Sequence, residues 1–400
     1  MDVRDDAQAM LPELLALRRA VHREPEVGLA LPRTQEKVLA ALSGLPLAVT
    51  PGSALSSVTA VLRGAHPGPV VLLRADLDAL PVDEEVDLPF RSRFEGRMHA
   101  CGHDLHTAML VGAAHLLAAR RDRLAGSVVF MFQPGEEGYD GARHMIEEGV
   151  LDAADQRPAA AYALHVSSSL WEAGRFATRA GCLMAACDRL AVTVHGAGGH
   201  GSAPHRARNP IPVACTMVNA LQGFLTGAVD PVRAAVISVG SIHAGTGAAI
   251  IPPTAHFEAT VRTFDTETRE AIARGAVRLC EDIARAHGMT AQAVLHSQYP
   301  ATVAAERESA FAADVARDLF GADRFQEMAH PLTASEDFSR VLDVVPGTIL
   351  QLGAALPGRD WRTAPANHSP LAAFDDSLLP DGAALYAELA LRRLARGPAD

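Results

Sequence analysis

The stretch His99-Ala-Cys-Gly-His-Asp-Leu-His106 sets three imidazoles, a thiol and a carboxylate within eight residues, beside an apolar run of helical length. A thiolate and a neutral imidazole both bind divalent transition metals, and Cys101 and His103, two positions apart on an extended loop, can converge on one ion. The same residues also suit a plain helix start, with Asp104 capping Leu105 onwards and the histidines incidental. A second signal is the adjacent pair Glu136-Glu137 in Gln133-Pro-Gly-Glu-Glu-Gly138. Neighbouring carboxylates on a tight turn point in different directions, so one can ligate a metal while the other handles the proton of a water. A metal hydrolase needs both roles; the alternative is a solvated acidic turn.

Other candidates are weaker alone. His165 ends the apolar strand Tyr162-Ala-Leu-His, where a satisfied core histidine is the common case, and His368 in Asn-His-Ser-Pro reads as a loop residue. Asp78 can hydrogen-bond a ligand histidine and fix its tautomer, or cap a helix. Gly196-Ala-Gly-Gly-His-Gly201 matches the dinucleotide fingerprint formally, but Pro204, Pro210 and Pro212 bar a helix directly after it, and no acid lies where the ribose would need one. A conformationally free loop presenting His200 is the better account. There is no Gly-x-Ser-x-Gly elbow for serine hydrolysis, and Cys101 as a thiol nucleophile lacks an evident oxyanion loop.

These residues need elements to hold them. Pro69–Asp76, Ser127–Gln133 and Ala160–His165 are apolar runs that alternate with helical stretches near 104–120 and 141–149, and each ends on polar side chains. That predicts an α/β fold with a mostly parallel sheet buried on both faces, and a ligand site at the carboxyl ends of its strands. Two helices joined by His22–Gly28 are expected over 8–43. From about 181 to 299 the order becomes β-α-β-β-α-β, which suits an inserted α+β domain with an antiparallel sheet. The first pattern resumes over 300–400, so the larger domain, 1–180 and 300–400, is discontinuous.

Four hundred residues at 48% apolar content can bury a large core, and the net charge of -11 argues against nucleic-acid binding or attachment to anionic membranes. No apolar run approaches membrane-spanning length, the first residues lack a signal-peptide pattern, and the five cysteines have no regular spacing. A cytoplasmic protein is the expectation.

As a set the motifs resemble one family. Leu17-Arg-Arg-Ala-Val-His-Arg-Glu-Pro-Glu, Arg74-Ala-Asp-Leu-Asp-Ala-Leu-Pro, Met98-His-Ala-Cys-Gly-His-Asp-Leu-His, Phe132-Gln-Pro-Gly-Glu-Glu-Gly, Gly198-Gly-His-Gly-Ser-Ala-Pro-His, Ser335-Glu-Asp-Phe and Asn367-His-Ser-Pro occur in this order. The chain is similar to the di-metal aminoacylase and carboxypeptidase clan, in its branch of hippurate hydrolases, indole-acetyl-amino-acid hydrolases and N-acyl-amino-acid amidohydrolases. The resemblance implies two divalent ions, zinc or manganese with nickel or cobalt as variants, held by Cys101, His103, Glu137, His165 and His368. It implies Glu136 as general base and then acid, Asp78 behind the ligands, and His200 supplied in trans to the tetrahedral oxyanion. The inserted domain would be the lid and dimerisation domain of a homodimer. Where relatives carry Asn-Val-Ile-Pro and Gly-Thr-Val-Arg, this chain has Ala249-Ile-Ile-Pro and Ala259-Thr-Val-Arg262. Alanine cannot replace an amide's hydrogen bonds, so either Arg262 alone recognises a substrate carboxylate or the substrate differs from a plain N-acyl amino acid. The implied activity is hydrolysis of an N-acyl amino acid. A metallo-dipeptidase or carboxypeptidase is the alternative, and a catalytically silent binder of conjugates a third reading.

Overall fold

The computed structural model describes residues 2–396, and the chain forms two compact units. The first comprises the chain up to Leu183, Val303–His330 and the chain from Asp337 on; the second comprises Met184–Thr302 and Pro331–Glu336. Pro331–Glu336, which the sequence groups with the larger domain, joins the second unit because the Ala185 N–H donates to the carbonyls of Leu332 and Ala334.

The first unit is built on an eight-stranded sheet in the order Ala48–Pro51, Val58–Arg63, Ala125–Gln133, His66–Asp76, Ala160–Ser167, Gly347–Gly353, Phe176–Thr178, Phe325–Glu327. Its four central strands, from Ala125–Gln133 to Gly347–Gly353, run parallel. They are the continuous apolar runs of the sequence, as expected of strands covered on both faces. Parallel order brings Asp76, Gln133 and His165 to one edge. Antiparallel partners at both ends make the sheet mixed as a whole.

The helix His103–Ala118 is buried nearly all round and packs against Leu379–Ala395 and Leu11–His22, the setting in which a helix loses its polar face. Three helices, Val3–Ala9, Leu11–His22 and Pro32–Leu42, replace the two expected at the N-terminus; Pro12, favoured in a first helical turn, restarts the chain after Met10. The N-cap of His103–Ala118 is Gly102, not Asp104. Asp104 is instead buried in an ion pair: its Oδ2 lies 2.8 Å from both Arg18 Nε and His22 Nδ1. His22 Nε2 reaches Glu84 Oε1 at 3.0 Å. Leu11–His22 is thereby tied to the turn that carries His103.

The second unit is a four-stranded antiparallel sheet, ordered Ala235–Ala244, Thr254–Thr263, Ala186–His195, Thr290–Tyr299, with helices Pro210–Ala228 and Thr266–Ala286. Alternate residues Leu190, Val192 and Val194, with Phe257 and Val261, share one core with Val213, Met217 and Leu221 of the first helix. This is the β-α-β-β-α-β order read from the sequence. Pro210–Ala228 has the length and composition to cross a membrane, with mean hydropathy 1.2. Asn219 and Gln222 interrupt its apolar run, so no unbroken run of membrane-spanning length occurs in it, as expected. Asn209 caps this helix by accepting from the Ile211 N–H at 3.1 Å.

Burial alone would lower the His22 pKa, but Asp104 and Glu84 outweigh it and hold the imidazole above its ordinary value. A raised folded pKa gives stabilisation that is complete below the unfolded value of about 6.5 and is lost as pH rises through the folded value. His22→Leu, which strips a cation from two buried carboxylates, is expected to cost about 3–5 kcal/mol at pH 6. The loss should shrink towards alkaline pH. Thermal unfolding of both proteins across pH checks this, and a loss independent of pH contradicts it.

Candidate metal centre

All five residues expected as ligands lie in the first unit, and their donor atoms converge. Gly102 makes the first approach possible. Its φ is +87°, and a Cβ there would sit 2.3 Å from Val166 Cγ2. The chain turns sharply at this point, so Cys101 stays in the loop while His103 opens the helix, rather than both lying on an extended loop.

Cys101 Sγ lies 3.5 Å from His165 Nε2 and 3.3 Å from His368 Nε2. Glu137 Oε1 is 3.1 Å from His368 Nε2 and 3.9 Å from His103 Nε2. Four overlapping triads occur among the described residues of the first unit: Cys101, His103 and His165; Cys101, Glu137 and His368; His103, Glu136 and Glu137; Asp76, His103 and His106. The atoms of each triad lie within 4.8 Å of one another.

A cation fits this arrangement because His103, at its centre, otherwise lacks partners. Both ring nitrogens of His103 are buried with no hydrogen bond, which is costly unless something else binds them. The protein fixes the free lone pairs. His165 Nδ1 lies 2.9 Å from the Val166 carbonyl, an acceptor, so Nδ1 carries the proton and Nε2 faces Cys101. Sulfur, imidazole and carboxylate together suit zinc and its neighbours.

The charges agree. Hydrogen bonds to Cys101 and Glu137 push His368 up to about 10. His103 is likewise held well above its ordinary value, because Asp76 and Cys101 outweigh its burial. Burial would raise Glu137, but His368 and His103 hold it low. The acids thus draw protons onto the imidazoles, and a metal must displace them. Burial, then His106, holds His165 well below its ordinary value, in the neutral form a ligand needs.

Glu136 and Glu137 sit on a turn held by Asp78, whose two carboxylate oxygens accept their backbone N–H groups at 3.0 Å each. Asp78, expected behind the ligands or as a helix cap, stands beside His103 with Oδ1 3.5 Å from Nδ1. Backbone donors compete for both its oxygens.

His368 adopts φ +71°, a region a residue with a Cβ rarely visits, and its N–H donates to the Ala100 carbonyl at 2.9 Å. Such strain persists only where surroundings over-determine it. Asn367 supplies that constraint: its Nδ2 donates to the carbonyls of Cys101 and Val166, and its Oδ1 accepts from the Ser168 N–H. The sequence reading gave Asn367 no role, nor His106, whose ring is buried between Asp76 and Val166.

His200 and Arg262 belong to the second unit. His200 is exposed on the two-residue strand Gly199–His200, paired with Ile250–Ile251. Its Nδ1 accepts from the Ser202 N–H at 3.1 Å, which leaves Nε2–H as a free donor. Arg262 Nη1 donates to Ser335 Oγ at 2.9 Å.

Comparison with known proteins places this geometry. The profile of "Peptidase family M20/M25/M40" matches residues 72–392. Thermostable carboxypeptidase 1 of Saccharolobus solfataricus is 36% identical, over 98% of both chains. Hippurate hydrolase of Campylobacter jejuni is 33% identical over 96% of this chain and 99% of its own. N-acetyl-L-cysteine deacetylase of Bacillus subtilis is 34% identical, over 96% and 88%. Among solved structures, a dinuclear metal-binding peptidase of the M20 family from Bacillus subtilis superposes with TM-score 0.82 at 31% identity, over 97% of this chain and 99% of that one. The chain belongs to peptidase family M20/M25/M40 and is a metal-dependent hydrolase, in line with the resemblance carried by its motifs.

Proposed function

We propose that this chain hydrolyses the amide bond of N-acyl amino acids, releasing a carboxylate and a free amino acid. The observation that carries the reading is the Glu136–Glu137 turn, which Asp78 fixes so that both carboxylates stand beside His103. Relatives named as deacetylases and hippurate hydrolase support the substrate class. The carboxypeptidase relatives favour a second reading, in which the acyl group is itself a peptide.

In this reading Cys101, His103, Glu137, His165 and His368 hold two divalent ions, zinc or manganese, with nickel or cobalt as variants. Such ions polarise an amide carbonyl and bring the pKa of a water to about 7. Glu136 takes the proton from the attacking water and later delivers it to the leaving amine. The free Nε2–H of His200 donates to the tetrahedral oxygen, as preorganised donors do where negative charge develops. Arg262, oriented by Ser335, holds the substrate carboxylate. The second unit is the lid and dimerisation domain of a cytoplasmic homodimer, with His200 reaching the partner's site.

Glu136→Gln should lower kcat/KM by about 10²–10⁴ while bound metal stays unchanged; near-wild-type turnover with metal bound contradicts the assigned base. Arg262→Ala should raise KM for N-acyl amino acids but not for their carboxamide analogues. An equal effect on both removes it from carboxylate recognition. Turnover of N-acetyl-, N-benzoyl- and indole-acetyl-amino acids against free-amine dipeptides separates the two readings: cleavage of the dipeptides alone establishes the peptidase.

A further inference from the structure

His106 is packed among the proposed ligands without being one. Its ring centroid lies 4.8 Å from that of His165 and 5.3 Å from that of His103, yet both its nitrogens are already committed. Nε2 receives the Val166 N–H at 2.8 Å, and a backbone amide can only donate, so Nε2 carries no proton. The ring proton is therefore on Nδ1, which lies 2.5 Å from Asp76 Oδ1. The other Asp76 oxygen is held at 2.7 Å by Arg74 Nη1, and Arg74 Nε donates to Gln133 Oε1.

The bond to Val166 matters because the next carbonyl is the one that orients His165. The Val166 N–H is held by His106, and the Val166 C=O accepts from both His165 Nδ1 and Asn367 Nδ2. The peptides on either side of Val166 Cα are thus pinned. With the carbonyl fixed, His165 has one tautomer and one ring orientation available. Without the His106 acceptor, a buried N–H has no partner, and the segment must turn to find one.

We propose that Asp76 and His106 form a positioning pair that sets the tautomer and orientation of His165 through the Val166 backbone, before any metal binds. The carboxylate holds the His106 proton on Nδ1; the vacant Nε2 fixes the peptide; the peptide fixes His165. The inference rests on the reading of His165 as a metal ligand, and the test separates the two.

Long-range ¹H–¹⁵N correlation on metal-free, ¹⁵N-histidine-labelled protein reads each tautomer directly, and zinc titration reads affinity. In the wild type, His106 and His165 should both show protonated Nδ1. His106→Leu should keep a cooperative melt but lose the single His165 tautomer, and its weaker zinc should bind roughly 10–100-fold less tightly. His106→Gln, whose amide can accept from Val166 and donate to Asp76, should recover part of both. A folded His106→Leu protein with an unchanged His165 tautomer and wild-type zinc affinity overturns the proposal. So does lowered stability with both readouts intact, which marks a merely structural ring. Should His106→Leu not fold, His106→Asn decides: its amide is too short to reach the Val166 N–H, so it should lose the single His165 tautomer, and an unchanged tautomer and zinc affinity overturn the pair. Fixed tautomers in a wild type that binds no zinc overturn the metal reading and leave the positioning role standing.

Discussion

Everything in the first unit turns on burying imidazole atoms that the protein does not itself satisfy. Both nitrogens of His103 are withdrawn from water without a hydrogen bond. Such atoms cost about 1–3 kcal/mol each when left alone. A bound cation would supply the missing interaction. The parallel centre of the sheet makes this burial possible, because strands covered on both faces end together at one edge and deliver Asp76, Gln133 and His165 to a common floor.

Holding the donors apart until a cation arrives demands backbone precision, and it comes from long-range hydrogen bonds rather than from regular elements. Asp78 clamps two successive amides of the Glu136–Glu137 turn. Asn367 bridges the loop of Cys101 to the strand end of His165 while standing next to His368. Gly102 and His368 both occupy the left-handed region. The glycine does so freely; the histidine does so because its own amide is tied to Ala100. Arg18, His22 and Asp104 anchor the far side of the same helix turn, so the strained segment is braced from both directions.

Much of this was legible in the sequence. Apolar runs ending in Asp76, Glu136 and His165 announced a buried parallel sheet with chemistry at one edge, and the change in pattern near 181 announced the antiparallel unit. Residue type and spacing identified Cys101, His103 and the Glu pair, because local spacing reports which donors can meet. It did not report what satisfies them. Asp78, expected behind the ligands or as a helix cap, also bonds two backbone amides. Asp104, which the alternative reading made a helix cap, is claimed by Arg18 and His22. Asn367 and His106 act on the backbone of Cys101 and Val166, far away in sequence, and no local pattern signals that. Pro210–Ala228 is apolar enough on average for a membrane, yet it buries its stripe on its own sheet.

The central claim is that this donor cluster holds two catalytic cations. The most direct test is the metal content of wild-type and His103→Ala protein by mass spectrometry, with turnover of an N-acyl amino acid measured on the same samples. The account predicts about two divalent ions per wild-type chain, fewer in His103→Ala, and turnover that falls with the loss and returns to the chelated wild type on adding zinc or manganese. A wild-type chain that hydrolyses the substrate with no bound metal, or a His103→Ala chain with full metal and full turnover, would contradict it.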